Sequence, residues 1–192
     1  MPTLRHLTLI LLLGVLGMLL PISTQANEAT WQALKEDGLV ILMRHSLAPG
    51  IGDPPGFERG RCETQRNLSA AGRTQAEAAG RAFRERDIPI AAVYSSSWCR
   101  ALDTAELMAL GSVEPVPWLD SFFRGQGDQA LITQTAQEQI AAWQGEGNLL
   151  LVTHQVNITA LVGGGVGSGE MIVLRPTGGS FQVVGRLSVS VQ

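Results

Sequence analysis

The sequence predicts an α/β protein, a three-layer α/β/α sandwich around a mainly parallel sheet. Residues 38–43, 89–94 and 148–153 are short apolar runs without the polar alternation of half-exposed strands. Unbroken runs of this kind belong to sheets covered on both faces, as in parallel α/β architecture. Segments with helical patterning alternate with the runs, and this order predicts helices on both faces of the sheet.

The first 26 residues are predicted to be a signal peptide. A short start carrying Arg5 precedes the nearly continuous apolar stretch 7–20, and small residues stand at Thr24 and Ala26. The alternative, an uncleaved membrane anchor, is disfavoured because a span needs about 20 apolar residues. We therefore expect cleavage after Ala26, a single domain over 27–192, a periplasmic or secreted protein and no stable membrane span after cleavage.

The remaining elements follow in chain order. After a helical pattern over 30–36 and the first strand, residues 48–66 are rich in Pro and Gly and predict a long loop, which in a compact domain tends to be functional. Ser69 is the expected N-cap of a helix reaching about Arg86. The later predictions are a helix over 100–110 ended by Gly111, a short strand over 113–116, a helix over 129–143, a helix from His154 to about Val162, and hairpin strands over 171–174 and 181–187.

Composition narrows the functional classes. Hydrophobic residues make up 45% and charged residues 16% of the chain, which excludes a disordered chain or a coiled coil. The net charge of −3 and the lack of clustered Lys or Arg argue against a nucleic-acid partner. Cys62 and Cys99 are the two cysteines, and an exported protein can hold them as a disulfide, with two free thiols as the alternative. Their spacing to His residues is not that of a zinc site, and no metal or cofactor is expected.

Polar residues follow three of the predicted strands. Arg44 and His45 end the first run, Arg100 lies just beyond the second, and His154 ends the third. Because ligands bind at the carboxyl ends of parallel strands, these side chains are expected to meet in one site. Arg matches phosphate oxygens with a fork of donors, and a neutral His can attack phosphorus to form phosphohistidine. The pattern favours capture and transfer of a phosphoryl group.

At these residues the chain resembles the histidine phosphatase superfamily, also called phosphoglycerate mutase-like. Leu-Met-Arg-His-Ser over 42–46 is similar to the family's Arg-His-Gly signature, and 67–73 is similar to its helix start. The segment 94–105 is similar to its Ser-Ser and Arg region, and 151–154 to the segment with the second His. The resemblance covers about residues 38–187 and implies metal-free phosphatase or mutase chemistry. It makes His45 the nucleophile, with Arg44, Arg100 and His154 holding the phosphate.

Two departures from the family pattern concern Ser46 and the proton donor. Ser46 stands where the family has Gly, and its side chain is expected to narrow the pocket or donate a hydrogen bond. Asp120 is the expected acid, with Asp128 and Glu114 as alternatives. Arg66 and Gln155 are further candidates for substrate contact; a solvated loop position is the other interpretation of Arg66, and helix capping that of Gln155. Trp98 and the pair 122–123 either shape a leaving-group surface or belong to the core.

The resulting hypothesis is an exported phosphomonoesterase that acts through a phosphohistidine on His45. Its expected substrate is a phosphorylated small molecule or an envelope glycan. Mutase activity is disfavoured because it requires priming by a bisphosphate, which is hard to supply outside the cytoplasm. The alternative is a catalytically silent module of the same fold that binds phosphate or another anion.

Overall fold

A six-stranded sheet forms the middle layer of the protein. We describe it from a computed structural model, which covers residues 22–190. The helices are α1 (Ile22–Ala33), α2 (Ala70–Arg84), α3 (Cys99–Met108), α4 (Gln129–Ala142) and α5 (Gln155–Val162). The strands are β1 (Val40–Arg44), β2 (Ile90–Ser95), β3 (Val113–Pro115), β4 (Asn148–Thr153), β5 (Met171–Pro176) and β6 (Phe181–Leu187).

The sheet has the strand order β3-β2-β4-β1-β5-β6. Strands β1 to β4 pair in parallel, while β5 is antiparallel to β1 and β6 is antiparallel to β5. The predicted α/β class with a mainly parallel sheet is therefore confirmed. The antiparallel part is the closing hairpin at one edge.

Successive residues of β1 pack on opposite faces of the sheet, as the two-residue period of a strand requires. Ile41 and Met43 belong to the core under α1, α2 and α3, which includes Phe83. Val40 and Leu42 belong to the core under α4 and α5, which includes Ile140 and Ile158. Both faces of the strand are thus apolar, which explains the unbroken apolar run in the sequence.

Helix α2 passes close to α3, and glycine makes this approach feasible. A Cβ atom at position 80 would lie 1.9 Å from the carbonyl oxygen of Met108. Ser69 caps the start of α2, where its side chain accepts a hydrogen bond from the Gly72 N–H. The prediction of Ser69 as N-cap is confirmed.

Two helix ends differ from the prediction. Helix α3 ends at Met108 because Ala109 adopts a left-handed conformation with φ of 51°, so Gly111 is not the terminator. The helical pattern predicted over 30–36 yields a helix only to Ala33, followed by turns. Position-specific backbone conformation of this kind is not encoded in hydrophobic periodicity.

Helix α1 contains the expected cleavage point after Ala26, whereas residues 1–21 of the predicted signal peptide lie outside the described residues. Trp31 in α1 packs edge-on against Phe83 at 5.0 Å between ring centroids. This contact lies beyond the expected cleavage point and would remain in the shortened chain. Among the described helices, none has the length and apolar character needed to cross a bilayer.

Candidate active site

The carboxyl ends of β1, β2 and β4 meet at a cavity of about 510 Å³. Strands β1 and β4 are adjacent and in register, with Arg44 opposite Thr153, so the residues that follow them emerge side by side. The cavity wall includes the predicted residues Arg44, His45, Arg66, Arg100, His154 and Gln155, together with Asp53, Ser121 and several apolar side chains. Side chains far apart in the sequence are thus brought together.

His45 is held so that one ring nitrogen is left free. Its backbone N–H donates to the Thr153 carbonyl, and its Nδ1 lies 2.8 Å from the Ser46 carbonyl oxygen. Because a carbonyl only accepts, Nδ1 carries the hydrogen and the neutral ring keeps its lone pair on Nε2. Burial lowers the pKa of His45 to about 3; the bond to Ser46 opposes this, and the positive charges of Arg100, Arg66 and Arg44 add to it. His45 is therefore a neutral base at neutral pH.

His154 lies against His45, with ring centroids 5.5 Å apart and ring planes at 64°. Its Nε2 is 2.7 Å from the Ser96 hydroxyl oxygen, and that hydroxyl donates to Asp120 Oδ1 at 3.2 Å. Burial lowers the pKa of His154 well below its ordinary value, and the neighbouring His45 and the Arg side chains lower it further. A chain from carboxylate through hydroxyl to imidazole thus supports the second His.

Among the described residues, three guanidinium groups, those of Arg44, Arg66 and Arg100, lie on the cavity wall with one carboxylate, that of Asp53. This leaves two positive charges, which match the charge of a phosphate dianion. Within the described residues, the buried Nε atoms of Arg44 and Arg100 have no hydrogen-bond partner. Burial lowers the pKa of Arg100 to about 10, so it remains charged at neutral pH. Buried donors without partners are rare in proteins, and these two belong to side chains of the cavity wall.

Asp53 is a site residue that the sequence analysis did not single out. Its Oδ1 accepts from Arg100 Nη1 at 2.8 Å and from the Arg66 backbone N–H at 3.0 Å, and its Oδ2 accepts from Trp98 Nε1 at 3.0 Å. Burial tends to raise the pKa of Asp53, but these donors and the charge of Arg100 lower it below its usual value. The only signal in the sequence was its place in the long Pro- and Gly-rich loop.

Asp120, which the sequence predicts to be the acid, is bound by groups outside the described cavity wall. It is buried, and it accepts hydrogen bonds from the Ser96 hydroxyl, from the Ser97 N–H at 2.7 Å and from Arg59 Nη1 at 3.3 Å. It does not belong to the described cavity wall. Of its two alternatives, Asp128 caps α4 by accepting from the Leu131 N–H, and Glu114 is exposed on β3.

Of three further residues expected to contact the substrate, Arg66 and Gln155 lie on the cavity wall and Ser46 does not. Arg66 reaches the cavity and is fixed by its Nε, which donates to the Gly52 carbonyl at 2.8 Å, and by a bond to the Ala48 carbonyl. Gln155 also lines the cavity and is exposed at the start of α5. Ser46 is fully buried outside the cavity wall, where its hydroxyl has no partner among the described residues. The Ser46 side chain therefore does not narrow the described cavity.

The aromatic residues divide between the core and the cavity. Trp98 is fully buried and packs edge-on against His154 at 5.5 Å between centroids. Phe122 and Phe123 line the cavity. The leaving-group surface that the sequence suggested for these residues thus fits the two phenylalanines, whereas Trp98 supports His154 from the core.

A disulfide joins Cys62 to Cys99 in the structure. Cys62 lies in the loop that carries Asp53 and Arg66, and Cys99 is the first residue of α3, next to Arg100. The bridge therefore fastens the loop beside the guanidinium cluster. Within the described part of the chain, no group of three or more His, Cys, Asp or Glu side chains is arranged to hold a metal ion.

Comparison with solved structures shows that the fold is shared. A protein encoded by the open reading frame Rv3214 from Mycobacterium tuberculosis has a TM-score of 0.62 and 17% identity, over 82% of this chain and 100% of that one. A phosphoserine phosphatase from Entamoeba histolytica has a TM-score of 0.60 and 14% identity, over 79% and 98%. The protein histidine phosphatase SixA, complexed with tungstate, has a TM-score of 0.56 and 18% identity, over 78% and 96%.

Sequence comparison finds a similar family. No curated protein sequence matches the chain. The family model of the histidine phosphatase superfamily (branch 1) matches residues 40–122, which contain β1, the loop, α2, β2 and α3. Over this segment, which is less than half of the chain, the sequence is similar to the histidine phosphatase superfamily.

Proposed function

We propose that this protein is a phosphomonoesterase that uses His45 as its nucleophile and needs no metal. The observation that carries the proposal is the neutral His45, with the lone pair on its Nε2, at a cavity whose described wall also carries the side chains of Arg44, Arg66 and Arg100. A neutral imidazole attacks phosphorus, whereas an imidazolium has no lone pair to do so. The family match and the phosphatases that share the fold support the same reaction class.

In the first half-reaction, His45 Nε2 forms a bond to phosphorus while the bond from phosphorus to the ester oxygen breaks. Arg44 and Arg100 are positioned to donate to the phosphoryl oxygens as charge grows on them, which stabilises the transition state. The leaving oxygen needs a proton. We assign its delivery to Asp53, because this is the carboxylate on the described cavity wall.

Asp53 is ionised in the free enzyme, since its hydrogen bonds and Arg100 lower its pKa. An incoming phosphate raises the pKa of the neighbouring carboxyl, because like charges disfavour ionisation. A substrate that arrives as the monoanion brings the proton that Asp53 then passes to the leaving oxygen. In the second half-reaction, water attacks the phosphohistidine and gives a proton to Asp53, and the bond from phosphorus to Nε2 breaks.

His154 is proposed to carry positive charge once phosphate is bound. Burial and the neighbouring cations lower the pKa of His154 and keep it neutral in the free enzyme. A bound phosphate dianion raises that pKa and favours the charged form. The Ser96 hydroxyl and the Asp120 carboxylate lie behind its Nε2 and favour the charged form. Asp120 is therefore proposed as a residue that positions His154, in place of its expected role as the acid.

Export to the periplasm or the medium is part of the proposal. The predicted signal peptide over residues 1–26 supports it, and a disulfide is typical of proteins in oxidising compartments. Expressed in a Gram-negative host, the full chain should be recovered from the periplasmic fraction, with Asn27 at its N-terminus. Recovery of the uncut chain from the cytoplasm would contradict this part of the proposal.

The reaction is tested with purified residues 27–192 and p-nitrophenyl phosphate. We expect phosphate release in the presence of EDTA and a loss of at least about 10³-fold in kcat for His45→Ala. The wild-type chain with no turnover but with saturable phosphate binding would be the silent anion-binding module instead. Full turnover by His45→Ala would contradict the proposed nucleophile.

A further inference from the structure

Beyond the guanidinium groups and the two histidines, the cavity wall is largely apolar. Ile51 lies in the loop with 80% of its surface exposed, and over residues 27–190 it is one of four large apolar residues that are exposed. Phe122 and Phe123 line the cavity from the segment after β3. Val156 and Ala160 line it from α5, where a spacing of four residues puts them on one helix face.

The loop passes close to the Phe123 ring. A Cβ atom at Gly52, next to Ile51, would lie 3.4 Å from that ring. The residue that precedes Gly52 in the loop is Ile51, so the apolar lining from the loop and that from the segment after β3 belong to neighbouring parts of the wall. The Arg124 guanidinium lies 5.3 Å from the centre of the Phe123 ring and contacts that ring by a cation–π interaction.

The polar side chains that remain on the described wall offer no free carboxylate to a cationic leaving group. The other polar side chains of this wall include Gln129, Gln155 and Thr159, which are uncharged and exposed. The carboxylate of the described wall, Asp53, is occupied by Arg100, Arg66 and Trp98. A sugar ring placed against Ile51, Phe122 and Phe123 would bring hydroxyl groups to side chains that cannot hydrogen-bond them, which is costly.

We propose that the leaving group of the natural substrate is an apolar alcohol or phenol whose hydrocarbon or aromatic body binds between Ile51 and the pair Phe122 and Phe123. This inference rests on the proposed phosphomonoesterase function and names its substrate class. It favours an alkyl or aryl phosphate over a phosphorylated glycan. Apolar surface beside a phosphate site contributes most to the binding free energy when an apolar part of the substrate covers it.

The test compares two substrates whose phenols have nearly equal acidity, 4-butylphenyl phosphate and 4-(hydroxymethyl)phenyl phosphate. The chemical step is then alike, and the difference in kcat/KM reports contact with the ring substituent. We expect kcat/KM to be at least about tenfold higher for the butyl compound. Equal values, or a preference for the hydroxymethyl compound, would overturn the inference and leave the phosphatase standing. Hydrolysis of neither compound would overturn both.

Variants at the exposed Ile51 locate the effect without disturbing the core. Ile51→Ser should reduce the butyl to hydroxymethyl ratio of kcat/KM by about fivefold or more, and Ile51→Leu should retain it. Val183→Ser is the matched control, since Val183 is also an exposed apolar residue but lies on β6, off the cavity wall. A ratio that Ile51→Ser leaves unchanged, or that Val183→Ser lowers as much, would contradict the proposed position of the leaving group.

Discussion

At His45, a single hydrogen bond decides which ring nitrogen can react. The Ser46 carbonyl binds Nδ1 and leaves Nε2 with its lone pair, while burial and three guanidinium groups keep the ring neutral. The same positive groups that are proposed to hold the phosphate thus keep the proposed nucleophile unprotonated. In this proposal one set of charges serves both binding and activation.

The buried carboxylates of Asp53 and Asp120 are proposed to have different roles. The dependence of kcat on the leaving group distinguishes the two roles. A residue that protonates the leaving oxygen matters most for poor leaving groups, because p-nitrophenolate departs without a proton. Asp53→Asn should therefore slow phenyl phosphate hydrolysis by about 10²-fold and p-nitrophenyl phosphate hydrolysis by clearly less. Asp120→Asn should slow both substrates alike. The reverse pattern of kcat values would restore Asp120 as the acid.

Ser96 is predicted to transmit the charge of Asp120 to His154. Ser96→Ala removes the bridge and makes the imidazolium of His154 less stable, so the alkaline limb of the kcat profile should move to lower pH by about one unit. At pH 7.5 kcat should fall about tenfold. Ser97→Ala is the control, because Asp120 is bound by the backbone N–H at position 97 and that N–H is retained. An unmoved pH profile in Ser96→Ala would contradict this role.

The sequence places some of these residues and not others, for a physical reason. His45, Arg44 and His154 end apolar strands, and strand ends of a parallel sheet can be located from hydrophobic runs alone. Asp53 lies in a loop whose path depends on contacts with Arg66 and Trp98 from distant segments. No local pattern reports those contacts, so a carboxylate of the cavity wall was missed, and Asp120 was instead named as the expected acid.

Among the secondary-structure elements and their connections, the loop 48–66 supplies site residues that come from neither a strand end nor a helix. It carries Asp53 and Arg66 to the cavity, and its end is joined to α3 both by the disulfide and by Gln65, which accepts from the Cys99 N–H at 3.0 Å. The strand ends thus provide the two histidines and Arg44. The loop adds one positive side chain, Arg66, and one negative side chain, Asp53. The Pro and Gly content predicted a functional loop, but its docking on α3 was not readable from composition.

The disulfide is expected to stabilise the fold and to order this loop. Its cysteines are 37 residues apart, and the chain-entropy argument gives about 4 kcal/mol for a loop of this length. In the double variant Cys62→Ser and Cys99→Ser, the free energy of unfolding measured in urea should fall by up to that amount. The KM for p-nitrophenyl phosphate should rise. Wild-type protein in a reducing agent should match it. Unchanged stability and KM in both samples would show that the other loop contacts suffice.

At the scale of the whole molecule, the fold buries two neutral histidines in a positively charged cavity, which couples stability to pH. In the unfolded chain each titrates near its ordinary pKa of about 6.5, whereas the pKa of His45 in the fold is about 3. Between these values the unfolded chain binds more protons than the native one. Stability is therefore fully present above pH 6.5 and declines as pH falls toward 3.

The size of this effect can be measured by urea unfolding. Between pH 7 and pH 4.5, His45 alone should cost on the order of 2 to 3 kcal/mol of unfolding free energy, and His154 should add to it. His45→Gln does not titrate, so its unfolding free energy should vary less over the same range. A wild-type free energy that does not fall between pH 7 and pH 4.5 would contradict the buried neutral state.

Trapping the covalent intermediate is the strictest test of His45 as the nucleophile. Wild-type protein is mixed with [³²P]-labelled substrate, quenched in alkali within the first turnover, and digested for peptide mapping. A phosphohistidine intermediate predicts label that survives alkali, is lost in acid, and maps to His45, with none bound by His45→Ala. Steady turnover with label on another residue, or with no label trapped at any quench time, would contradict His45 as the nucleophile.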